Sequence, residues 1–268
     1  MPKLAANLSM LFPELAFLDR FAAARKQGFT GVEIQFPYEI DKVEIAARLH
    51  AQNLALVLFN TAPGDLRKGE TGLAALPSRV DDFRRSFELT LAYAQALACP
   101  RLHFMAGVVP TDADAIAYRS CFCRNLVWAA SFAAEVKLDL LLEPLNPADV
   151  PGYLIPTIPS ALSIIDELRL PNLFLQFDAY HTQMNQGSLA RSLRTHVGLI
   201  RHIQISGVPG RHEPDDSQEI NYSYLLPLID ELGYDGWVGC EYNPRGDTAE
   251  GLAWAWPWLR PQRHSAKA

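Results

Sequence analysis

The sequence predicts an α/β protein, a single (β/α)8 TIM barrel, and three observations carry the barrel. Apolar bursts rich in β-formers recur eight times, and helical patterns separate them. That alternation calls for parallel strands joined by helical crossovers. The 268 residues match the length at which such barrels form one unit. Finally, the first burst runs into ANLSMLFPE without a glycine, whereas an open nucleotide-binding sheet usually places a glycine-rich turn after its first strand.

In chain order, strands are expected at NLSM (7–10), GVEIQF (31–36), LALVLFN (54–60), RLHFMAG (101–107), LDLLLEP (138–144), LFLQFDAYH (173–181), IRHIQISG (200–207) and WVGCEYN (237–243). Helical patterns fall at 13–27, 42–52, 78–98, 113–137, 160–168, 188–196 and 222–232, and a last one starts at Thr248. No composition break or repeat divides the chain, so residues 1–268 are expected to form one barrel domain. The one long insertion is NTAPGDLRKGETGLAALP (60–77), which follows a strand, where barrels carry their active-site loops. It reads either as a lid, with Arg67 and Lys68 in reach of an anionic substrate, or as a surface loop.

Composition narrows the function. A net charge of −6 and a pI near 5.6 disfavour the phosphate-neutralising surface that nucleic-acid binding needs. No apolar run approaches the ~20 residues of a membrane span. The N-terminal stretch is broken by Pro13 and Glu14 and lacks a clear cleavage site, so the expected location is the cytoplasm. Cys99, Cys121, Cys123 and Cys240 contain no C-x-x-C pair and read as reduced, mostly buried thiols. A metal or a small polar substrate fits this balance better.

The chemistry gathers at the strand ends. Glu143, Asp178, Gln204 and Glu241 each lie near the C-terminal end of one of the last four strands, the rim where barrels keep their active sites. Side-chain alternation that turns Gln204 inward turns Ile203 and Ile205 outward, and an inward Glu241 sends Cys240 toward the helices. Three converging carboxylates repel one another unless a divalent cation neutralises them. Oxygen-only ligation favours a hard ion, Mg2+ or Mn2+, over a closed structural zinc site. Any one of these acids alone reads equally as a helix cap or an Arg partner.

Other residues read in two ways. His181 either binds a substrate oxygen or bonds to backbone in a loop. Arg211, in SGVPGRHEP, pairs bidentately with a substrate carboxylate or lies exposed, and His212 competes for that role. Glu33 and His103 read as satisfied core polar residues ahead of pocket-lining ones. Trp254, Trp256 and Trp258 read as packing of the last helix or a contact in a homo-oligomer.

Together LLEPLN, LQFDAYH, HIQISGVPGRHEP, GCEYNP, NTAPGD and ANLSMLF resemble the hydroxypyruvate isomerase family, which includes 2-oxo-tetronate isomerases, within the xylose-isomerase-like barrels. The likeness runs from about residue 5 to 257. It implies a divalent metal, usually Mg2+, held by Glu143, Asp178, Gln204 and Glu241, with Glu143 and Glu241 as proton donor and acceptor. The implied substrate is a small 2-oxo acid, hydroxypyruvate or a four-carbon relative; from the residues themselves Arg211 or His181 is expected on its carboxylate, with Lys68 of the insertion a further substrate-binding candidate. Related sugar epimerases carry a histidine where Gln204 stands. A ketose 3-epimerase is the nearest alternative, an abasic-site endonuclease a more distant one, and a barrel that only binds a sugar acid the non-enzyme alternative.

Overall fold

Eight parallel strands close on one another in chain order in the computed structural model, which describes residues 1–259. They are β1 (Lys3–Asn7), β2 (Gly31–Ile34), β3 (Ala55–Asn60), β4 (Arg101–His103), β5 (Asp139–Leu142), β6 (Leu173–Asp178), β7 (Ile200–Ile205) and β8 (Trp237–Cys240). The barrel closes where Lys3 to Ala6 pair with Trp237 to Cys240. The end of the expected domain, 260–268, lies outside the described residues.

Ten α-helices accompany the strands among the described residues: α1 (Arg20–Gln27), α2 (Lys42–Gln52), α3 (Val80–Ala96), α4 (Ala115–Glu135), α5 (Ile158–Leu168), α6 (Ala179–Asn185), α7 (Leu189–His196), α8 (Tyr222–Glu231), α9 (Thr248–Gly251) and α10 (Trp256–Leu259). Side chains set several starts: Asp41, Asp114 and Asn221 accept from first-turn amides of α2, α4 and α8, and Thr157 with Ser160 forms a capping box on α5. Each such cap contributes about 1 kcal/mol. Gly28 ends α1 at φ +103°, a left-handed conformation that glycine adopts without strain. No helix among the described residues is long and apolar enough to cross a membrane.

The outward faces of the strands build the main core. Leu140, Leu142, Leu175, Ile203, Ile205, Val238 and Cys240 are buried in the layer shared with the helices, whereas Glu33, Gln176, His202 and Gln204 bond to one another inside the barrel. All four cysteines are free and buried.

Three boundaries differ from expectation. β1 is KLAAN rather than NLSM, because Ala5, Ala6 and Asn7 pair with Gly31, Val32 and Glu33 despite weak strand propensity. β6 stops at Asp178, whose side chain accepts from the Tyr180 amide at 2.7 Å and opens α6, so His181 stands on a helix. The helix expected over 13–27 begins only with a 3-10 turn at Phe17–Asp19.

The insertion after β3 is tied down in its second half. Leu73, Ala74 and Ala75 are buried, Ala75 donates to the Ala106 carbonyl, and Asn125 donates to that of Ala74. Gly72 meets Gly107 so closely that a Cβ at 72 would lie 2.8 Å from the Gly107 nitrogen.

Candidate active site

A cavity of about 120 Å3 lies at the C-terminal rim of the barrel, lined by Gln35, Phe36, Asn60, His103, Met105, Glu143, Leu145, Val150, His181, Arg211 and Glu241. Glu143 arrives directly after β5, Glu241 directly after β8, and His181 in the first turn of α6. Strand ends therefore deliver acids from different sides of one opening.

Glu143 and Asp178 are buried, and with His181 they offer ligand atoms that all lie within 4.8 Å of one another. Asp178 divides its work: Oδ1 caps α6, whereas Oδ2 faces His181 Nε2 and Arg211 Nη2, each at 3.7 Å. Glu143 Oε2 accepts from His103 Nδ1 at 3.0 Å, and Glu143 Oε1 is buried without a hydrogen-bond partner. Gln204 sits beside Asp178 in the β6–β7 register.

Arg211 Nη2 lies 2.6 Å from Glu241 Oε2, and its guanidinium packs 4.9 Å from the centre of the Tyr180 ring. The residue holds φ +52°, a left-handed conformation that costs energy for a residue carrying a side chain. The other Glu241 oxygen accepts from Gln35 Nε2 at 2.9 Å and Asn7 Nδ2 at 3.3 Å. Arg211 thus links Asp178 to Glu241.

Burial governs the electrostatics. It pushes the Glu241 carboxyl up to about 8 and that of Asp178 up to about 7, with Arg211 working against both shifts. For Glu143 burial, the largest influence, also acts upward, but the facing His103, which hydrogen-bonds to it, together with His181 and Arg211 outweighs burial and holds that carboxyl low. Burial pulls His181 down to about 4. The Asn146 backbone amide and side-chain amide both lie within donor reach of His181 Nδ1, at 3.1 and 2.8 Å. An amide on Nδ1 makes that nitrogen an acceptor, so the neutral ring carries its proton on Nε2, toward Asp178.

These residues fit a divalent cation. An unpartnered buried carboxylate oxygen, a second carboxylate nearby and burial that opposes their ionisation are the conditions a bound cation relieves. The His181 tautomer makes its Nε2 a donor, better suited to an anionic oxygen than to ligating an ion.

Lys68 is exposed, with its ammonium 3.8 Å from Asp65, and Arg67 also pairs with Asp65; neither lines the cavity. His212 turns its Nδ1 to the Asn243 carbonyl. Trp254 packs on Tyr242 and Trp258. His103 is a correction: it is no satisfied core residue, since it holds Glu143, lines the cavity and leaves its Nε2 unpartnered. It ends β4, and the strand-end rule applied to the acids would have found it. Gln35 and Asn7 were missed because only long-range pairing brings them to Glu241.

Fold and rim together define a (β/α)8 enzyme barrel with an acidic centre suited to a divalent cation. The xylose isomerase-like TIM barrel family matches residues 21–261; the chain belongs to that family, and it is an isomerase of the hydroxypyruvate isomerase group within it. A 2-oxo-tetronate isomerase of Cupriavidus necator is 49% identical over 259 residues, covering 97% of this chain and 99% of that one. The hydroxypyruvate isomerase of Escherichia coli K12 is 38% identical, covering 96% of this chain and all of that one, 100%. A crystal structure from Brucella melitensis, described as an AP endonuclease of family 2, superposes with a TM-score of 0.93 at 44% identity, covering 96% of this chain and 99% of that one.

Proposed function

We propose that this isomerase moves a carbonyl between C2 and C3 of a small 2-oxo acid, with Glu143 and Glu241 as the pair that moves the proton. The substrate is hydroxypyruvate, giving tartronate semialdehyde, or 2-oxo-tetronate, giving its 3-oxo isomer. The observation that carries this reading is that two buried carboxylates, one after β5 and one after β8, line the same 120 Å3 cavity with a guanidinium between Glu241 and Asp178.

The chemistry follows from those positions. One glutamate takes the proton from C3, the other delivers a proton to C2, and the hydroxyl proton passes from the C3 oxygen to the C2 oxygen. Arg211 offers its fork to the substrate carboxylate, and His181 Nε2–H donates to a neighbouring oxygen. The Tyr180 ring and the Asn146 amides hold those two groups in place. Glu143, Asp178, Gln204 and Glu241 would hold the cation, Mg2+ or Mn2+, and it would supply positive charge for the oxygens that become negative when the proton leaves.

Two observations favour this reading over its rivals. The cavity places the Arg211 guanidinium and His181 beside its carboxylates, a cationic and a hydrogen-bonding group that suit the carboxylate of an oxo acid better than an uncharged ketose. The endonuclease description of the Brucella structure is not carried over, because a net charge of −6 offers no broad surface for a phosphate backbone. Steady-state assays on hydroxypyruvate, 2-oxo-tetronate and free ketoses test the reading. Turnover of an oxo acid at least tenfold more efficient than of any ketose is expected, and a preference for ketoses would overturn it.

A further inference from the structure

Beneath the rim lies a second carboxylate centre that the proposed chemistry does not use. Glu33, on β2, is 1% exposed, and its carboxylate hydrogen-bonds to three polar side chains of the barrel interior, Asn7, His202 and Gln204. Oε1 meets His202 Nε2; Oε2 accepts from Gln204 Nε2 at 3.0 Å and from Asn7 Nδ2 at 3.1 Å. The same Asn7 nitrogen lies 3.3 Å from Glu241 Oε1. The space is reserved for this acid: a Cβ at Gly239 would fall 1.7 Å from Glu33 Oε1.

An amide has two unlike ends, and only its oxygen can ligate a cation. An ionised carboxylate accepts hydrogen bonds and cannot donate them. Glu33 therefore fixes which end of Gln204 faces it: the nitrogen must, and the oxygen must point away, where it accepts from Gln176 Nε2 at 2.6 Å. Asn7 extends the same constraint to Glu241 by donating to both acids.

We propose that Glu33 is a positioning residue that sets the amide orientation of Gln204 and, through Asn7, the carboxylate of Glu241, and thereby the affinity of the site for a divalent cation. The proposal rests on the reading that Gln204 and Glu241 hold that cation. His202 anchors the far oxygen of Glu33, and Gly239 leaves room for the group.

Calorimetric titration of chelator-treated full-length protein with Mn2+ tests this, alongside the visible spectrum of the Co2+-loaded form and circular dichroism. Glu33→Gln keeps size but can donate as well as accept, so it frees Gln204 to flip. It should weaken Mn2+ binding about 10–100-fold, the usual effect of losing a partner that orients a ligand, and alter the Co2+ spectrum while the fold persists. The double variant Glu33→Gln/Gln204→Glu should recover Mn2+ affinity to within about threefold of the parent, since a carboxylate at 204 has no wrong end. A residue that merely fills space beside Gly239 would leave affinity and spectrum unmoved in the isosteric variant, and that result overturns the proposal. If Glu33→Gln does not fold, Glu33→Asp decides, because the shorter side chain draws the carboxylate away from Gln204 and Asn7: weakened Mn2+ binding supports the proposal and parental binding overturns it. Gln204→Ala separates the two levels. Parental affinity in that variant refutes Gln204 as a ligand, whereas weakened binding there with parental affinity in Glu33→Gln refutes only the role of Glu33.

Discussion

Arg211 Nη2 stands 2.6 Å from Glu241 Oε2 and 3.7 Å from Asp178 Oδ2, so a single guanidinium spans two buried carboxylates. Lysine keeps the charge at that point but loses the planar fork and the stacking on Tyr180. Arg211→Lys should raise KM for the oxo acid tenfold or more and change kcat less, measured by steady-state kinetics at saturating Mn2+. An unchanged KM would remove Arg211 from substrate binding.

Glu241→Gln removes the proton-carrying group and nearly preserves shape. Loss of a positioned acid or base costs about 10²–10⁴ in rate, so turnover should fall by that factor while circular dichroism stays that of the parent. A variant retaining normal turnover would end the catalytic assignment of Glu241.

Cation binding should follow pH with a definite sign. Burial raises Glu241 to about 8 and Asp178 to about 7, and both must lose their protons to take a cation. Mn2+ affinity should therefore climb from about pH 6 to 8 with protons released on binding, read by calorimetry in buffers of different ionisation enthalpy. Stability linkage has the matching sign. A carboxylate whose folded value lies above its unfolded one binds protons more tightly when folded, so the cation-free protein loses stability as pH rises from the unfolded value through the folded one. Affinity independent of pH across that window would contradict this picture of the site.

His181 should remain neutral across pH 5–9, because burial pulls it to about 4 and the Asn146 amides occupy Nδ1. Long-range nitrogen–proton correlation spectra of the imidazole should show Nε2–H with Nδ1 unprotonated and no titration in that range. A titration near 6.5 would return it to an ordinary solvated histidine.

The barrel was legible because alternating apolar bursts and helical patterns survive locally in the sequence. The rim positions of Glu143 and Glu241 were legible too, since LLLEP and GCEYN end an apolar run with a carboxylate. β1 was misplaced because Ala5 and Ala6 carry no strand signal of their own and become a strand only through pairing with β2 and β8. His181 moved onto a helix because Asp178 is both a strand end and a cap, two readings that a single residue type cannot separate. Asn7, Gln35 and Glu33 were unreadable as a group: they meet Glu241 and Gln204 across more than 160 residues of chain, by hydrogen bonds that leave no local pattern.

Hydrogen exchange in heavy water probes the paired glutamates and the cation at once. With Mn2+ present, the protein should place deuterium on carbon in hydroxypyruvate or 2-oxo-tetronate, followed by proton NMR, and both Glu241→Gln and chelator-treated protein should lose that exchange at least a hundredfold. Exchange at the parental rate in Glu241→Gln, or after complete removal of divalent ions, would contradict a glutamate pair acting beside a bound cation.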